Sequence, residues 1–414
     1  VAETDADRVY RGAVTGADAY RAVRSAIRLE GEVLRIGNRF VRAERYEEIA
    51  FLALGRAAVS AGFGVLDALG ESVTQGFLAG PDELPERIPF LHQRTRSEAL
   101  GTTDAEAVIA SVLELAGGLH EKDLLLVVLS PGALGLLSAP PTGMGRDGYL
   151  EFLRRLTEAG ARSAEIERFV RATSFGAAGG RLAAAAGRSE VVTLIVDRDG
   201  VPEASGGGPT RAVRAEERTA ANALLSVRGI AERTPVEIRR ALSTAPALPE
   251  REAARPVVVA TPAEAIQGAG DALSEAKWWS RLATLSLSGG PAEAAQEFSD
   301  RVEEVLRGVP KSRQARKGIA IFAGAPLECI DGEGEGAALA RLLPELKTRA
   351  RRRTLRIVAF RTAGARPGDV GLPAGLIEAT GAEIRPVPAF RAGRPGVTDV
   401  GPVVAALLPE SEEP

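Results

Sequence analysis

Two aspartates, Asp197 and Asp199, follow directly on the apolar run EVVTLIV at 190–196. A carboxylate just past the carboxyl end of a buried strand can hold Mg²⁺ or a substrate hydroxyl, and it serves equally well as a turn residue. A second chemistry-bearing stretch is KDLLLVVLSPGALGLLSAPP at 122–141. Its unbroken Leu/Val run at 124–129 reads as a parallel strand buried on both faces. Ser130, Pro131 and Gly132 then make a tight turn before a helix start, an order that aims backbone amides at a bound anion. Gly179 and Gly180 open a third candidate, the small-residue helix GGRLAAAA, which also suits plain close packing.

Other stretches carry less. The glycine-rich piece at 331–336 alternates glycine with Glu333 and Glu335, whose charges would repel a polyphosphate. The basic residues between Lys347 and Arg356 sit at the end of a helical pattern, where cations complement the helix dipole. Trp278 and Trp279 read as a packed corner, because only 4% of the chain is aromatic.

These residues need a scaffold, and 414 residues is more than one core usually organises, so two domains are expected. We place them at 1–240 and 241–414. The composition, 45% hydrophobic and 26% charged, suits a stable α/β globule. A formal net charge of −3 gives no global attraction to nucleic acid, and no window is apolar enough to span a membrane. The single cysteine, Cys329, rules out an internal disulfide or cysteine metal cluster, and the two histidines rule out a histidine-rich metal site. A cytoplasmic location is expected.

Taken in order, the chain predicts a helix over 17–29, a hairpin over 32–42 turning at Gly37-Asn38, and a core strand over 46–54. A helix to about Leu69 and a strand over 73–79 follow. Helices are expected over 103–119, 148–159 and 163–173, with strands over 124–129 and 190–196. A linker is placed at 241–255. Beyond it come strand PVVVA, helix PAEAIQGAGDALSEA, strand RLATLSLS, helix 291–306, strand KGIAIFAG, helix AALARLLPELKTRARRR, strand TLRIVAF and helix PAGLIEATG. The first half therefore predicts an open, mostly parallel Rossmann-like sheet with helices on both faces, and the second half another α/β domain.

Several motifs, in this order, resemble the glycerate 2-kinase family, which pairs a DUF4147 N-terminal domain with a MOFRL C-terminal domain. GGRLAAA at 179–185 is followed by VVTLIV and by ASGGGPT at 204–210, similar to the family's ASGPT with two glycines added. ALGRAA around Gly55 resembles GAGKAA, and LSPGALGLL at 129–137 resembles LSGGGSALL. A MOFRL-like region is matched at about 315–410. Family members are understood to phosphorylate the 2-hydroxyl of glycerate with ATP and Mg²⁺. The resemblance thus implies Arg56, Arg171 and Asp197 as catalytic residues. It implies Gly55, Ser130, Gly132, Gly179, Gly180, Arg181, Ser205, Gly206 and Thr210 as nucleotide or substrate contacts. Asp197 and Asp199 would hold the metal.

The sequence also departs from that pattern. Arg56 replaces the family's lysine, and Pro131, Gly132, Ala133 and Leu134 replace its glycine-rich, serine-bearing turn. Ala172, Thr173 and Ala178 stand where Lys, His and Lys occur in VRKHLSRIKGGRLA. The segments 322–325, 336–341 and 362–367 lack the polar residues of SGGE, GGRNQE and TDGTDG. The expectation is therefore a degenerate paralogue, kept as a binding, regulatory or structural subunit, with a homo-oligomer or protein partner and no cofactor. The alternative is an active, divergent kinase of glycerate or a related hydroxy acid, using ATP and Mg²⁺. An NAD oxidoreductase ranks last, because no GxGxxG motif with a later acidic residue is present.

Overall fold

The computed structural model describes residues 4–81, 84, 88–95, 103–161, 163–197, 208–244, 256–285, 287, 290–308, 317–324, 335–349, 356–361, 377–380, 383–386 and 402–409. The chain forms two compact units, one of residues 19–259 and the other of residues 1–18 with 260–414. This differs from the division expected at 240. The first 18 residues pack with the C-terminal part, and the strand PVVVA lengthens the first sheet.

The chain opens with α1 (Asp5–Gly16) and α2 (Ala19–Ala26), then a three-stranded antiparallel meander of β1 (Ile27–Glu30), β2 (Val33–Ile36) and β3 (Arg39–Arg42). The expected single helix over 17–29 is thus cut short. Its last residues leave as a strand because Ile27 and Leu29 pair with Ile36 and Leu34. Next come β4 (Ile49–Leu54), α3 (Ala58–Leu69), β5 (Gln75–Gly80), β6 (Leu91–Thr95), α4 (Thr103–Gly117) and β7 (Leu124–Leu129). The short α5 (Ala133–Leu137) leads into β8 (Ser138–Ala139), then α6 (Arg146–Glu158), α7 (Ser163–Thr173), β9 (Phe175–Gly176) and the short α8 (Arg181–Ala185). The unit closes with β10 (Glu190–Val196), α9 (Ala215–Val227), α10 (Val236–Thr244) and β11 (Val257–Ala260).

Its main sheet has the order β11-β10-β7-β4-β5-β6, and β10-β7, β7-β4, β4-β5 and β5-β6 all pair in parallel. Starting from β4, the chain adds β5 and β6 on one side and then crosses to add β7, β10 and β11 on the other. That reversal between β4 and β7 is a topological switch point, the place where such sheets open a crevice at their carboxyl edge. β4 and β7 are buried at every position, as strands covered on both faces must be. Ala50, Leu52 and Leu54 meet Val108, Val112 and Ala116 of α4 on one face. On the other face α3 approaches so closely that a Cβ on Gly62 would stand 2.6 Å from Leu78. Helices α6, α7, α9 and α10 form a separate apolar cluster around Tyr149, Phe169, Leu225 and Ile238.

The other unit contains α11 (Pro262–Glu275), β12 (Trp278–Thr284), α12 (Pro291–Arg307), β13 (Gly318–Gly324), α13 (Glu335–Arg349), β14 (Arg356–Arg361), β15 (Ile377–Thr380), β16 (Glu383–Pro386) and β17 (Pro402–Pro409). Its mixed sheet runs β12-β13-β17-β14-β15-β16. Within the helix expected at PAGLIEATG, residues 377–380 form a strand instead and pair antiparallel with β14 through Ile357↔Ala379; the rest of that stretch lies outside the described residues. Trp278 and Trp279 lie inside β12 and are buried. α12 and α13 supply Phe298, Val302, Leu342 and Leu346 to a core with Ile321, Ala323, Val404 and Ala406.

Candidate functional site

At the switch point the turns after β4 and β7 are knitted together. Ser130 Oγ donates to Leu54 O at 3.0 Å and accepts the Ala57 amide at 3.0 Å. The Arg56 amide donates to Pro131 O at 2.9 Å, and the Gly55 amide to Ala79 O at 2.9 Å. Gly55 has φ +103, and a Cβ there would lie 2.3 Å from Ser130 O, so glycine is required both for the turn and for the approach. These amides could have faced a phosphate, and they are donated to the chain itself. Arg56 lies in the turn just before α3 with its side chain half-buried. Gly132, at φ +94, begins α5.

Beside β10 a second cluster is held by a strap of residues 208–214. The Gly180 amide donates to Gly208 O at 2.9 Å, and the Ala183 amide to Pro209 O at 3.3 Å. Thr210 is buried, and its hydroxyl bonds that of Thr193 on β10 at 2.7 Å. Arg171 Nη2 donates to Arg211 O and Ala212 O, each at 3.1 Å, while Nη1 donates to Glu217 Oε1. Glu217 Oε2 accepts the Arg214 amide at 2.8 Å, closing the first turn of α9. Gly180, at φ +89, allows the strap to lie close, since a Cβ there would stand 2.6 Å from Ala212 N.

Arg181 is the third cation. Its Nη1 donates to Ser174 O at 2.8 Å, and its guanidinium lies 4.6 Å over the half-exposed Phe175 ring. Burial lowers its pKa from the ordinary arginine value.

The expected residues therefore fall into two groups. Gly55, Arg56, Ser130, Gly132 and Asp197 lie at the carboxyl ends of β4, β7 and β10, and Asp197 is buried. Gly179, Gly180, Arg171, Arg181 and Thr210 gather around the strap. Asp199, Ser205 and Gly206 lie outside the described residues. Sequence reasoning missed Glu217 and Thr193, whose importance comes from partners 46 and 17 residues away. The one local signal for Glu217 was its place three residues after Arg214, the capping-box spacing.

ATP with Mg²⁺ is the cofactor that the resemblance implied. The Gly55, Arg56, Ala57 and Gly180 amides are donated to Ala79, Pro131, Ser130 and Gly208, and among the described residues no group of three acidic, histidine or cysteine side chains could hold a metal ion. We derive no chemical step through that cofactor.

A sequence profile of the DUF4147 family, described as a domain of unknown function, matches residues 5–243. The chain belongs to that family. This DUF4147 chain is 28% identical over 207 residues to the glycerate kinase of Danio rerio, a match covering 47% of the chain and 41% of the relative. The human glycerate kinase is 29% identical over 180 residues, covering 40% and 34% respectively. The chain thus spans about two fifths or less of the length of these curated relatives. In fold it is similar to a crystal structure of a Pyrococcus horikoshii protein, with TM-score 0.69, 18% identity and 99% of both chains covered. A crystal structure of glycerate kinase from Thermotoga maritima matches with TM-score 0.68, 17% identity and 97% of both chains covered. These likenesses carry the fold that the motifs around Gly55, Ser130 and Gly179 implied. Among the described residues no helix is long and apolar enough to cross a membrane.

Proposed function

We propose that this DUF4147 chain is a glycerate kinase-like protein that does not transfer phosphoryl groups and is retained as a binding or regulatory subunit. One observation carries the reading: Arg171, Ser130 and the switch-point amides, all expected to act on phosphate, serve as internal fastenings. Arg171 has a side chain 2% exposed and is bonded to Glu217 and two carbonyls. The Ser130 hydroxyl and the Gly55, Arg56 and Ala57 amides join the switch-point turns. Phosphoryl transfer needs cations and amides aimed at the moving group, each worth about 2–4 kcal/mol of transition-state stabilisation. A cation already bonded to three protein oxygens contributes little of that. A cytoplasmic location, a protein partner or second copy, and a MOFRL-like character for about 315–410 belong to the same proposal.

The test is direct. Purified chain incubated with ATP, Mg²⁺ and glycerate should give no phosphoglycerate above a protein-free control. Turnover that disappears in Arg56→Ala would overturn the reading.

A second reading is an active, divergent kinase of a hydroxy acid. It is favoured by Asp197, buried at the carboxyl end of β10, and by the half-buried Arg56 beside the switch point. Titration calorimetry that detects no binding of Mg-ATP at millimolar concentration would end it.

A further inference from the structure

The guanidinium of Arg171 is nearly sealed, at 2% exposure, whereas the Glu217 side chain that meets it is 29% exposed. The pair therefore has a buried cationic floor and a carboxylate on its solvent side. Glu217 uses its two oxygens on two donors, Oε1 on Arg171 Nη1 and Oε2 on the Arg214 amide. A guanidinium and a backbone N–H facing the two oxygens of one carboxylate form a two-point recognition site for that group. The same guanidinium holds Arg211 O and Ala212 O, so the strap 208–214 and this carboxylate share one anchor. Thr210 to Thr193 and Gly208 O to the Gly180 amide secure the strap at its other end.

We propose that Glu217 is an internal ligand: its carboxylate fills a carboxylate-recognition site made by Arg171 and the Arg214 amide, and small carboxylic acids compete for that place. The inference rests on the binding-subunit reading above and names the ligand class of that site. It takes monoanionic acids able to present both carboxylate oxygens. Phosphoryl transfer plays no part, so a kinase assay that overturned the earlier reading would leave this proposal to its own measurements. Removing one member of a buried ion pair is costly, which makes the place that Glu217 leaves beside Arg171 an acceptor site for an added anion of the right shape.

The test uses the full chain and Glu217→Ala, with formate, acetate and glycerate as probes and chloride at matched ionic strength as control. The variant should melt below the wild type. Formate and acetate should restore its melting temperature, and they should bind it at least tenfold more tightly than they bind the wild type. Hydrogen exchange at the Gly180 and Ala183 amides, which are tied to the strap, should speed up at least tenfold in the variant and slow again with formate. If chloride restores the variant as well as formate does, or if no carboxylate restores it, the proposal is overturned. If Glu217→Ala does not fold, Glu217→Gln is read in its place. It should show the same carboxylate-specific stabilisation at smaller size, and its indifference to carboxylates would overturn the proposal as surely.

Discussion

Ser130 gives its hydroxyl proton to Leu54 O and takes the Ala57 amide, so removing the hydroxyl strands the buried Ala57 amide and leaves Leu54 O with the Ser130 amide in place of two donors. Ser130→Ala should cost about 1–3 kcal/mol in urea unfolding, with no change in any ligand affinity. Glu190 makes a different kind of fastening at the amino end of β10. Burial alone would raise its pKa, but the Tyr46 hydroxyl at 2.8 Å and the Arg39 guanidinium outweigh that and hold it below the ordinary value. A depressed carboxylate adds stability above its unfolded pKa and loses it as pH falls through the folded one. The stability gap between wild type and Glu190→Gln should therefore be full at neutral pH and shrink below about pH 4. Arg56, Ser130, Gly180 and Arg171, which the sequence singles out, all lie at the two clusters. Their employment was not legible there, because it depends on oxygens contributed by Arg211, Ala212 and Glu217, at least 40 residues away from Arg171.

Elements were legible where one physical signal dominated. β4 and β7 announce themselves as unbroken apolar runs and β10, after its first residue, as one interrupted only by Thr193, and the Gly and Ser turns after β4 and β7 mark the switch point between them. β6 was hidden because LHQRT is polar and lies at a sheet edge, where burial no longer enforces a pattern. β15 read as a helix because Ala, Leu and Glu favour one, and pairing with β14 overrides that preference. The closeness of α1 to α11 left little trace in the sequence, since it rests on the absence of side chains at a few glycines. A Cβ on Gly268 would stand 2.2 Å from Gly12 O, and one on Gly16 would stand 2.3 Å from Glu264 O. Two helices this close cannot accept an added methyl without separating. Gly268→Ala should lower stability by about 1–3 kcal/mol in thermal unfolding, although alanine is the better helix former.

The unit built from 260–414 is discontinuous in the chain, since α1 completes it from the far end of the sequence. Asp5 ties it there, accepting both of its bonds from Lys317 Nζ at 2.7 and 2.8 Å, next to the Trp278 ring. Lys317 is half-exposed, so Asp5→Asn should cost only about 1 kcal/mol. The informative readout is its location: hydrogen exchange should rise in β12 and β13 and stay unchanged in β4, β7 and β10. A rise across the main sheet of residues 19–259 would contradict this division of the chain.

That discontinuity also imposes an order of events during synthesis. Ala6, Val9, Tyr10 and Ala13 of α1 are buried in the finished protein, and the helix they rest on is translated roughly 250 residues later. At about 5–20 residues per second, a ribosome takes on the order of 12–50 s to cover that interval. Over that time the whole intervening unit can emerge and fold while the leading helix waits with an oily stripe unmatched, a natural client for a chaperone.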